Sequence, residues 1–420
     1  MNSKHTKIYI YYGPRKSFNK LIKKKEKIEF FTPLVQEYDK ENKKIPLVIQ
    51  GFKPQSETDS VEKVPREVKT LVIFSDEYST ITEGAIQNFS AILDFFEIEE
   101  IYVQNPPLLV EKALKKNYED IFIHNYVYKK ITSQNIRSIN DNFEKRIIGQ
   151  KDAIYKILKV LLSFIKFPRA NKPVIIMLYG PSGVGKTETA KFLSEILGGK
   201  LLYKQFSMFQ NNEFSTYLFG GTHAQNSFAK ELLDRETNVI LLDEFDKAHP
   251  YFYSAFYQLF DEGIFYDKNY KVRLYNSIII CTSNFKSKEE IREKLGDPIY
   301  YRFDSFIEFK ALDIESLKKV IDLKYSKYID ELSDKDKEII EKVKYGEKTI
   351  LESIKLNAPK IKNVREVDNL IKELILGELL KNELKWRKFV EKSWKKLYNL
   401  ITEHKNGRCN TDLWCVELVY

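Results

Sequence analysis

A glycine-rich segment that ends in lysine and threonine has the clearest chemical meaning in this sequence. Gly180, Gly185, Lys186 and Thr187 match G-x-x-x-x-G-K-[ST], a pattern in which backbone N–H groups surround a phosphate chain. In such a site Lys186 would reach the β- and γ-phosphates, and Thr187 would ligate Mg²⁺. The segment therefore predicts a site for ATP and Mg²⁺, formed by Pro181, Ser182, Gly183, Val184, Gly185, Lys186 and Thr187.

The flanking residues predict the elements that would hold this phosphate loop, residues 180–187. The apolar run Val174–Tyr179 predicts a buried strand before it, and Ala190, Leu193 and Leu197 would share one face of a helix after it. A strand, a glycine-rich turn and a helix are the context that the phosphate pattern needs. The N-terminus of the helix would add positive potential to the N–H groups around the phosphates.

Two acidic residues after a second apolar run would supply further groups for hydrolysis. The segment NVILLDEFDKAH predicts a buried strand that ends in Asp243 and Glu244. Asp243 would hold the Mg²⁺ shell, and Glu244 would orient and polarise the attacking water. An acidic turn that caps the next helix is the alternative, although adjacent carboxylates destabilise each other unless a cation offsets them.

A third apolar run, SIIICTSN, ends in the polar residue Asn284. An asparagine at the end of a strand is commonly a turn residue. Together with a phosphate loop and an acidic pair on the other two strands, Asn284 is instead expected to lie beside the γ-phosphate. It would then act as a polar sensor between strand and nucleotide.

These three strands, their order and the segment before them resemble the AAA+ ATPases, and within these the Clp/HSP100 class. The resemblance covers residues 136–375 and is carried by KRIIGQKDAIYKIL, YGPSGVGKTETAK, VILLDEFDKAH and IICTSN. It implies that Ile148 and Gly149 contact adenine, and that Arg302 is the arginine finger for the γ-phosphate of a neighbouring subunit. The alternative for Arg302 is a surface residue that pairs with Asp304 or Glu308.

The same resemblance implies a second sensor, Arg365, at the start of a lid helix in NVREVDNLI. The family has Gly-Ala-Arg at this place, whereas this chain has Asn363 and Val364 before the arginine. The alternative for Arg365 is an exposed basic residue on the lid.

The expected fold class is α/β: an AAA+ P-loop core of parallel sheet and flanking helices, a C-terminal helical lid and a small N-terminal α/β domain. The domains would be residues 1–130, residues 131–309 with a helical linker, and residues 310–420 with a C-terminal tail. A chain of 420 residues is long enough for two or three such domains. Residues 1–130 alternate strand-like and helix-like runs, and their role is unknown.

This chain differs from the protein-unfolding members of the family it resembles in one short loop. Family pore loops carry Gly-Tyr-Val-Gly in a glycine-rich segment, whereas residues 221–227 here contain no Tyr, Phe or Trp. His223 is the largest side chain of the loop, and Tyr217 and Phe219 are expected to face the core. We therefore expect intact hydrolysis without processive threading, as the resemblance to torsin-like AAA+ proteins also implies.

Composition and charge exclude some classes of protein and leave others open. The net charge of +9 is compatible with a solvated surface or with an acidic or nucleic-acid partner. The longest apolar runs fall well short of the ~20 residues of a membrane span, and residues 1–13 lack the pattern of a signal peptide. Three cysteines form no recognisable disulfide framework or metal site. A cytoplasmic location without membrane contact is expected.

Three functional hypotheses remain open from the sequence. In the first, a homo-oligomeric ring, such as a hexamer, or a helical assembly remodels or switches a specific protein partner. This system could serve stress response or antiphage defence. In the second, the chain is an ATPase associated with nucleic acid. In the third, it is a nucleotide-gated assembly scaffold, against which the acidic pair argues.

Overall fold

The computed structural model describes residues 6–41, 65–167, 172–208 and 212–384, and it divides into two compact units. The first unit comprises residues 1–181 and 185–309, and the second comprises residues 182–184 and 310–420. The predicted C-terminal tail beyond Leu384 lies outside the described residues.

The N-terminal part of the first unit is a parallel sheet with helices on both faces. Its five strands are β1 (Lys7–Tyr12), β2 (Ile28–Phe30), β3 (Arg66–Ile73), β4 (Phe96–Gln104) and β5 (Ile121–Asn125). They pair in the order β2-β3-β4-β1-β5. The helices are α1 (Arg15–Ile22), α2 (Phe31–Glu41), α3 (Glu83–Gln87), α4 (Phe89–Leu93) and α5 (Leu108–Asn117).

The two faces of this sheet have separate cores. Helix α1 buries Phe18 and Ile22 in one apolar cluster, whereas α5 buries Val110 and Leu114 in the other. Helices α2, α3 and α4 share the face of α5, through residues such as Phe89. Strands β1 and β4 are neighbours in the sheet. The helix after β1 lies on one face, and the helix after β4 lies on the other.

A second parallel sheet follows, with the strands β6 (Val174–Tyr179), β7 (Leu202–Gln205), β8 (Val239–Asp243), β11 (Ile278–Thr282) and β12 (Ser305–Glu308). These five strands pair in the order β12-β6-β11-β8-β7. Strands β9 (Ile264–Tyr266) and β10 (Lys271–Arg273) form a separate antiparallel pair. The helices are α6 (Ser133–Arg146), α7 (Lys151–Lys166), α8 (Lys186–Leu197), α9 (Asn212–Phe219), α10 (Phe228–Leu233), α11 (Tyr257–Glu262), α12 (Lys288–Leu295) and α13 (Asp297–Tyr300).

The three central strands of this sheet are buried along their whole length, which explains their continuous apolar runs. Strand β11 lies between β6 and β8, with Ile278 paired to Val174 on one side and Val239 on the other. All three strands run parallel, so the phosphate loop, the acidic pair and Asn284 emerge at the same edge of the sheet.

The second unit is mostly helical. Its elements are α14 (Ile314–Asp330), α15 (Asp334–Lys342), β13 (Lys344–Tyr345), β14 (Lys348–Thr349), α16 (Ile350–Leu356) and α17 (Val364–Leu384). Among its buried side chains are Leu317 and Ile321 of α14 and Val367 and Ile371 of α17.

The predicted fold class is confirmed: an α/β core with parallel sheets, and a C-terminal helical part. The division into three domains stays a prediction. Among the described residues, no helix combines the length and the apolar character needed to cross a bilayer.

Candidate active site

The phosphate loop connects β6 to α8 in a conformation that requires glycine. Gly180 has a φ of 128°, and a Cβ there would lie 2.1 Å from the carbonyl oxygen of Phe309. The side chain of Lys186 is buried beneath the loop, where its Nζ donates to the Gly180 carbonyl at 2.6 Å and the Pro181 carbonyl at 2.7 Å. The ammonium group is therefore held where a phosphate chain would lie.

The predicted adenine-contacting residues lie in a turn next to this loop. Ile148 and Gly149 follow α6, and Gly149 has a left-handed φ of 77°. A Cβ at Gly185 would meet the side chain of Ile147 at 3.0 Å, so the turn packs directly on the loop. A residue larger than glycine at position 185 would push the two segments apart.

The acidic pair reaches the same place from β8. Asp243 is 8% exposed, and the hydroxyl of Thr187 lies 3.1 Å and 3.2 Å from its two carboxylate oxygens. Thr282, at the end of β11, donates its hydroxyl to the same carboxylate. Asn284 accepts a hydrogen bond from Lys186 through Oδ1 at 3.2 Å. Two hydrogen-bonded pairs thus lie together in one cluster: Lys186 with Asn284, and the next residue, Thr187, with Asp243.

Glu244 follows Asp243 in the left-handed region, with a φ of 54°. Its backbone N–H donates to the hydroxyl of Thr282 at 2.9 Å, which fixes this unusual turn. The carboxylate points toward β7, where Nε2 of Gln205 donates to its Oε2 at 3.0 Å. The predicted base is therefore tied to the neighbouring strand.

Two residues of β7 belong to the site although no sequence motif marks them. Gln205 binds Glu244, and the hydroxyl of Tyr203 donates to Oδ2 of Asp243 at 3.1 Å. Gln205 lies directly opposite Asp243 in the register of the two strands. The available signal was a polar residue at the end of a short strand-like run, LYKQ, but its pairing with β8 is not visible in the sequence.

Arg302 is paired within its own chain. Its Nε donates to Oδ2 of Asp261 at 2.7 Å, and its guanidinium lies 4.5 Å from the ring centre of Tyr257. The partner is neither of the two carboxylates weighed from the sequence, and Asp304 accepts the backbone N–H of Ile175 instead. In the described residues no hydrogen bond joins Arg302 to the cluster around Lys186.

Arg365 is exposed in the first turn of α17, in the second unit. Asn363, which departs from the family pattern, accepts the backbone N–H of Glu366 at 3.0 Å and so caps this helix. The sensor role of Arg365 stays a prediction.

The short loop after α9 is tightly folded and held from both sides. Its backbone is fixed by bonds such as Thr222 N–H to Oε1 of Gln225 at 3.1 Å. His223 is 2% exposed, and its ring nitrogens lie 2.7 Å from Oε1 of Glu83 and 2.8 Å from the carbonyl of Ile81. Both partners belong to the N-terminal part, so this loop is a docking element within the chain.

The residues of the cluster suit a magnesium nucleotide. Hydroxyl and carboxylate oxygens are the ligands that Mg²⁺ prefers, and Thr187 and Asp243 place such oxygens side by side. The glycines of the loop have positive φ values and no Cβ atom, so a phosphate chain can approach the backbone N–H groups closely. These features are typical of a P-loop domain that binds a magnesium nucleotide.

Comparison with known proteins identifies the class more closely. Residues 171–366 match the model of the AAA domain (Cdc48 subfamily). The chain is 28% identical over 297 residues to the ATP-dependent Clp protease ATP-binding subunit ClpE of Lactococcus lactis. That match covers 63% of this chain and 36% of the ClpE protein. It is 30% identical over 287 residues to the chaperone protein ClpB of Mycoplasmoides gallisepticum. That match covers 60% of this chain and 39% of the ClpB protein.

The chain is similar to AAA+ ATPases of the Clp/HSP100 class, and residues 171–366 carry the match to the AAA domain. This similarity supports ATP binding by the matched domain. The chain spans less than two fifths of the length of the two relatives named above.

Proposed function

We propose that this chain hydrolyses ATP with the residues gathered at the edge of the second sheet. The observation that carries the proposal is the position of Lys186 beneath the phosphate loop, next to the hydrogen-bonded pair of Thr187 and Asp243. Lys186 binds the β- and γ-phosphates, while Thr187 and Asp243 hold Mg²⁺, which supplies charge neutralisation between the phosphates. Glu244 orients and polarises the water once its carboxylate leaves Gln205.

A further positive charge beside the γ-phosphate, the guanidinium of Arg302, would come from a second copy of the chain. Arg302 pairs with Asp261 in the single chain, and a trans-acting arginine works only where subunits pack head to tail. Such a heterologous contact closes into a ring or continues as a helix. We therefore propose a homo-oligomer whose seams contain the complete sites.

The work done with this energy is the switching or remodelling of a specific protein, without processive threading. A threading loop needs a bulky side chain that moves freely with the nucleotide state. Here His223 is buried, and Lys230 donates through Nζ to the carbonyl of Gln225 at 2.9 Å, which closes the loop on itself. Because this loop is engaged by the N-terminal part, movement of the ATPase core would be passed to that part.

Glu244→Gln tests the assignment of the base. The amide keeps the size of the side chain but cannot polarise water as a carboxylate does, so we expect unchanged ATP binding and a rate reduced by ~10²-fold or more. Phosphate release and nucleotide binding, measured separately, check this. A variant that hydrolyses ATP at the parental rate contradicts the assignment.

A comparison of stimulating polymers tests the proposed type of partner. If the target is a protein, an unfolded or cognate protein should raise the rate of phosphate release, and duplex DNA or RNA should not. Stimulation by nucleic acid that fades steeply with added salt would support the alternative hypothesis instead. Complete unfolding of a folded reporter fused to a peptide tag would contradict the absence of threading.

A further inference from the structure

The N-terminal sheet has a crevice at its carboxyl edge that the proposed ATPase function does not use. The connections after β1 and β4 leave toward opposite faces, and these two strands are neighbours. In open parallel sheets, ligands bind outside the carboxyl ends of the strands at such a switch point. The residues at this point are Gly13 and Pro14 after β1, and Gln104 and Asn105 at the end of β4.

The crevice is built rigidly around a glycine. A Cβ at Gly13 would lie 2.4 Å from the Cβ of Tyr126, so no larger residue fits there. Asn105 accepts the Gly13 N–H at 2.9 Å and donates to the Gly13 carbonyl at 3.0 Å. Gln104, fully buried, donates to the same carbonyl at 3.0 Å. The hydrogen bonds of Gly13 with Asn105 and Gln104 thus fix the turn that leads into α1.

Helix α1 begins at this crevice without a cap of its own. Its N-cap is Pro14, which makes no side-chain hydrogen bond, and no acidic residue lies in the first turn. The positive end of the helix is instead met by Asp234, which follows α10 in the ATPase core. Oδ1 of Asp234 accepts the Arg15 N–H at 2.8 Å and the Nε2 of Gln104 at 3.3 Å. A carboxylate from another part of the chain therefore occupies the anion position.

Asp234 leaves part of the crevice unsatisfied. In the described part of the chain, the buried Oε1 of Gln104 has no hydrogen-bond partner. An ionised carboxylate has no proton to offer this oxygen, whereas a hydrogenphosphate group carries an O–H that can donate to it. Burial also raises the pKa of Asp234, against the hydrogen bonds from Arg15 and Gln104, so its ionised form is held here at a cost.

A cavity of about 810 Å³ adjoins the crevice, large enough for a small organic molecule. Asp234 and Asn105 lie in its wall, together with the hydroxyl-bearing residues Ser75 and Ser79. Lysines enter the wall from the ATPase core, and one of them, Lys200, begins the segment that leads into β7. Asp76, also in the wall, is neutralised by the guanidinium of Arg15 at 2.7 Å.

We propose that this crevice binds a phosphate group, free or carried by a small phosphorylated molecule, in place of the Asp234 carboxylate. The phosphate accepts the Arg15 N–H and the Nε2 of Gln104 and donates to Oε1 of Gln104, and any remaining part of the molecule lies in the adjoining cavity. Ligand and ATPase core compete for the same donors, so binding releases Asp234. This site is independent of the phosphate loop.

Equilibrium dialysis with labelled inorganic phosphate and ribose 5-phosphate tests the proposal. All proteins carry Lys186→Ala, which suppresses binding at the phosphate loop. Asp234→Asn keeps the shape of the side chain but removes the competing charge, so we expect it to bind either probe ~10-fold or more tightly than the Lys186→Ala parent, a gain of about 1.4 kcal/mol. Gln104→Glu, also matched in size, replaces the donor with a like charge and should abolish binding.

The outcomes separate the proposal from a purely structural role of Asp234. Tighter binding of ribose 5-phosphate than of phosphate points to a sugar phosphate, and equal binding points to free phosphate; either supports the site. If Asp234→Asn shows no saturable binding up to about 10 mM of either probe, the proposal is overturned. Binding that survives Gln104→Glu lies elsewhere and overturns it equally. Circular dichroism of each variant verifies that it is folded.

Discussion

At the scale of single residues, the contact between Gln205 and Glu244 controls the geometry of the proposed base. The amide of Gln205 holds the Glu244 carboxylate at 3.0 Å on the side of β7. This contact therefore restrains the base by its position, because the carboxylate must leave Gln205 before it can orient a water.

Gln205→Ala should therefore raise the basal rate of ATP hydrolysis, by a few-fold up to ~10-fold, which corresponds to about 1.4 kcal/mol in the barrier. Steady-state phosphate release at saturating ATP is the measurement. Ser207→Ala is the matched control because it removes a different contact of the Gln205 amide, the one from Nε2 to the Ser207 hydroxyl at 3.0 Å, and should leave the rate unchanged. A rate that falls in Gln205→Ala would mean that Gln205 orients the base for the reaction.

At the scale of elements, the loop between α9 and α10 is defined by its contact with α3. Burial works to raise the pKa of Glu83, but hydrogen bonds from the backbone and ring of His223 outweigh it and lower the pKa below its usual value. A lowered pKa means that the contact stabilises the fold fully above the ordinary value of 4.5 and is lost as the pH falls through the lowered value.

Glu83→Gln should cost about 1 kcal/mol in the free energy of unfolding at neutral pH, a modest value because the carboxylate is partly exposed. The difference between the wild type and Glu83→Gln should shrink as the pH falls below 4.5, because the carboxyl of the wild type becomes protonated. Urea unfolding at several pH values measures it. Glu97→Gln, on the exposed face of β4, is the control, and equal losses in both variants would exclude a specific contact.

The predictable elements are those whose local sequence alone decides their form. The buried strands β6, β8 and β11 follow from apolar runs, and the phosphate loop follows from its glycines. By contrast, Ile86, Phe89, Ile92 and Phe96 have the spacing of one helix, but the structure has two short helices there. The helix breaks at Asn88, and Phe96 begins β4. The roles of Gln205 and His223 depend on partners distant in sequence, so no local pattern contains them.

At the scale of the whole molecule, contacts within a single chain occupy Arg302, which is proposed to act on the γ-phosphate of a neighbouring subunit. The guanidinium pairs with Asp261 and also donates to the carbonyl of Pro298. To act as a finger, Arg302 must exchange Asp261 for the γ-phosphate of a neighbouring subunit. The arginine can then report on assembly, because it contributes only where two chains meet.

Arg302→Ala should lower the rate of hydrolysis by ~10³-fold while leaving ATP binding intact, because the arginine stabilises charge that develops during the reaction. Mixing it with Lys186→Ala should restore activity, since an Arg302→Ala site can receive the arginine of a Lys186→Ala neighbour. In random equal mixtures, half of the sites retain Lys186 and half of their neighbours retain Arg302, so about a quarter of the seams are complete. The double variant Lys186→Ala/Arg302→Ala, mixed with Arg302→Ala, offers no complete seam and should restore nothing. If the first mixture stays inactive at every ratio, Arg302 acts within its own chain, and the proposed seam is wrong.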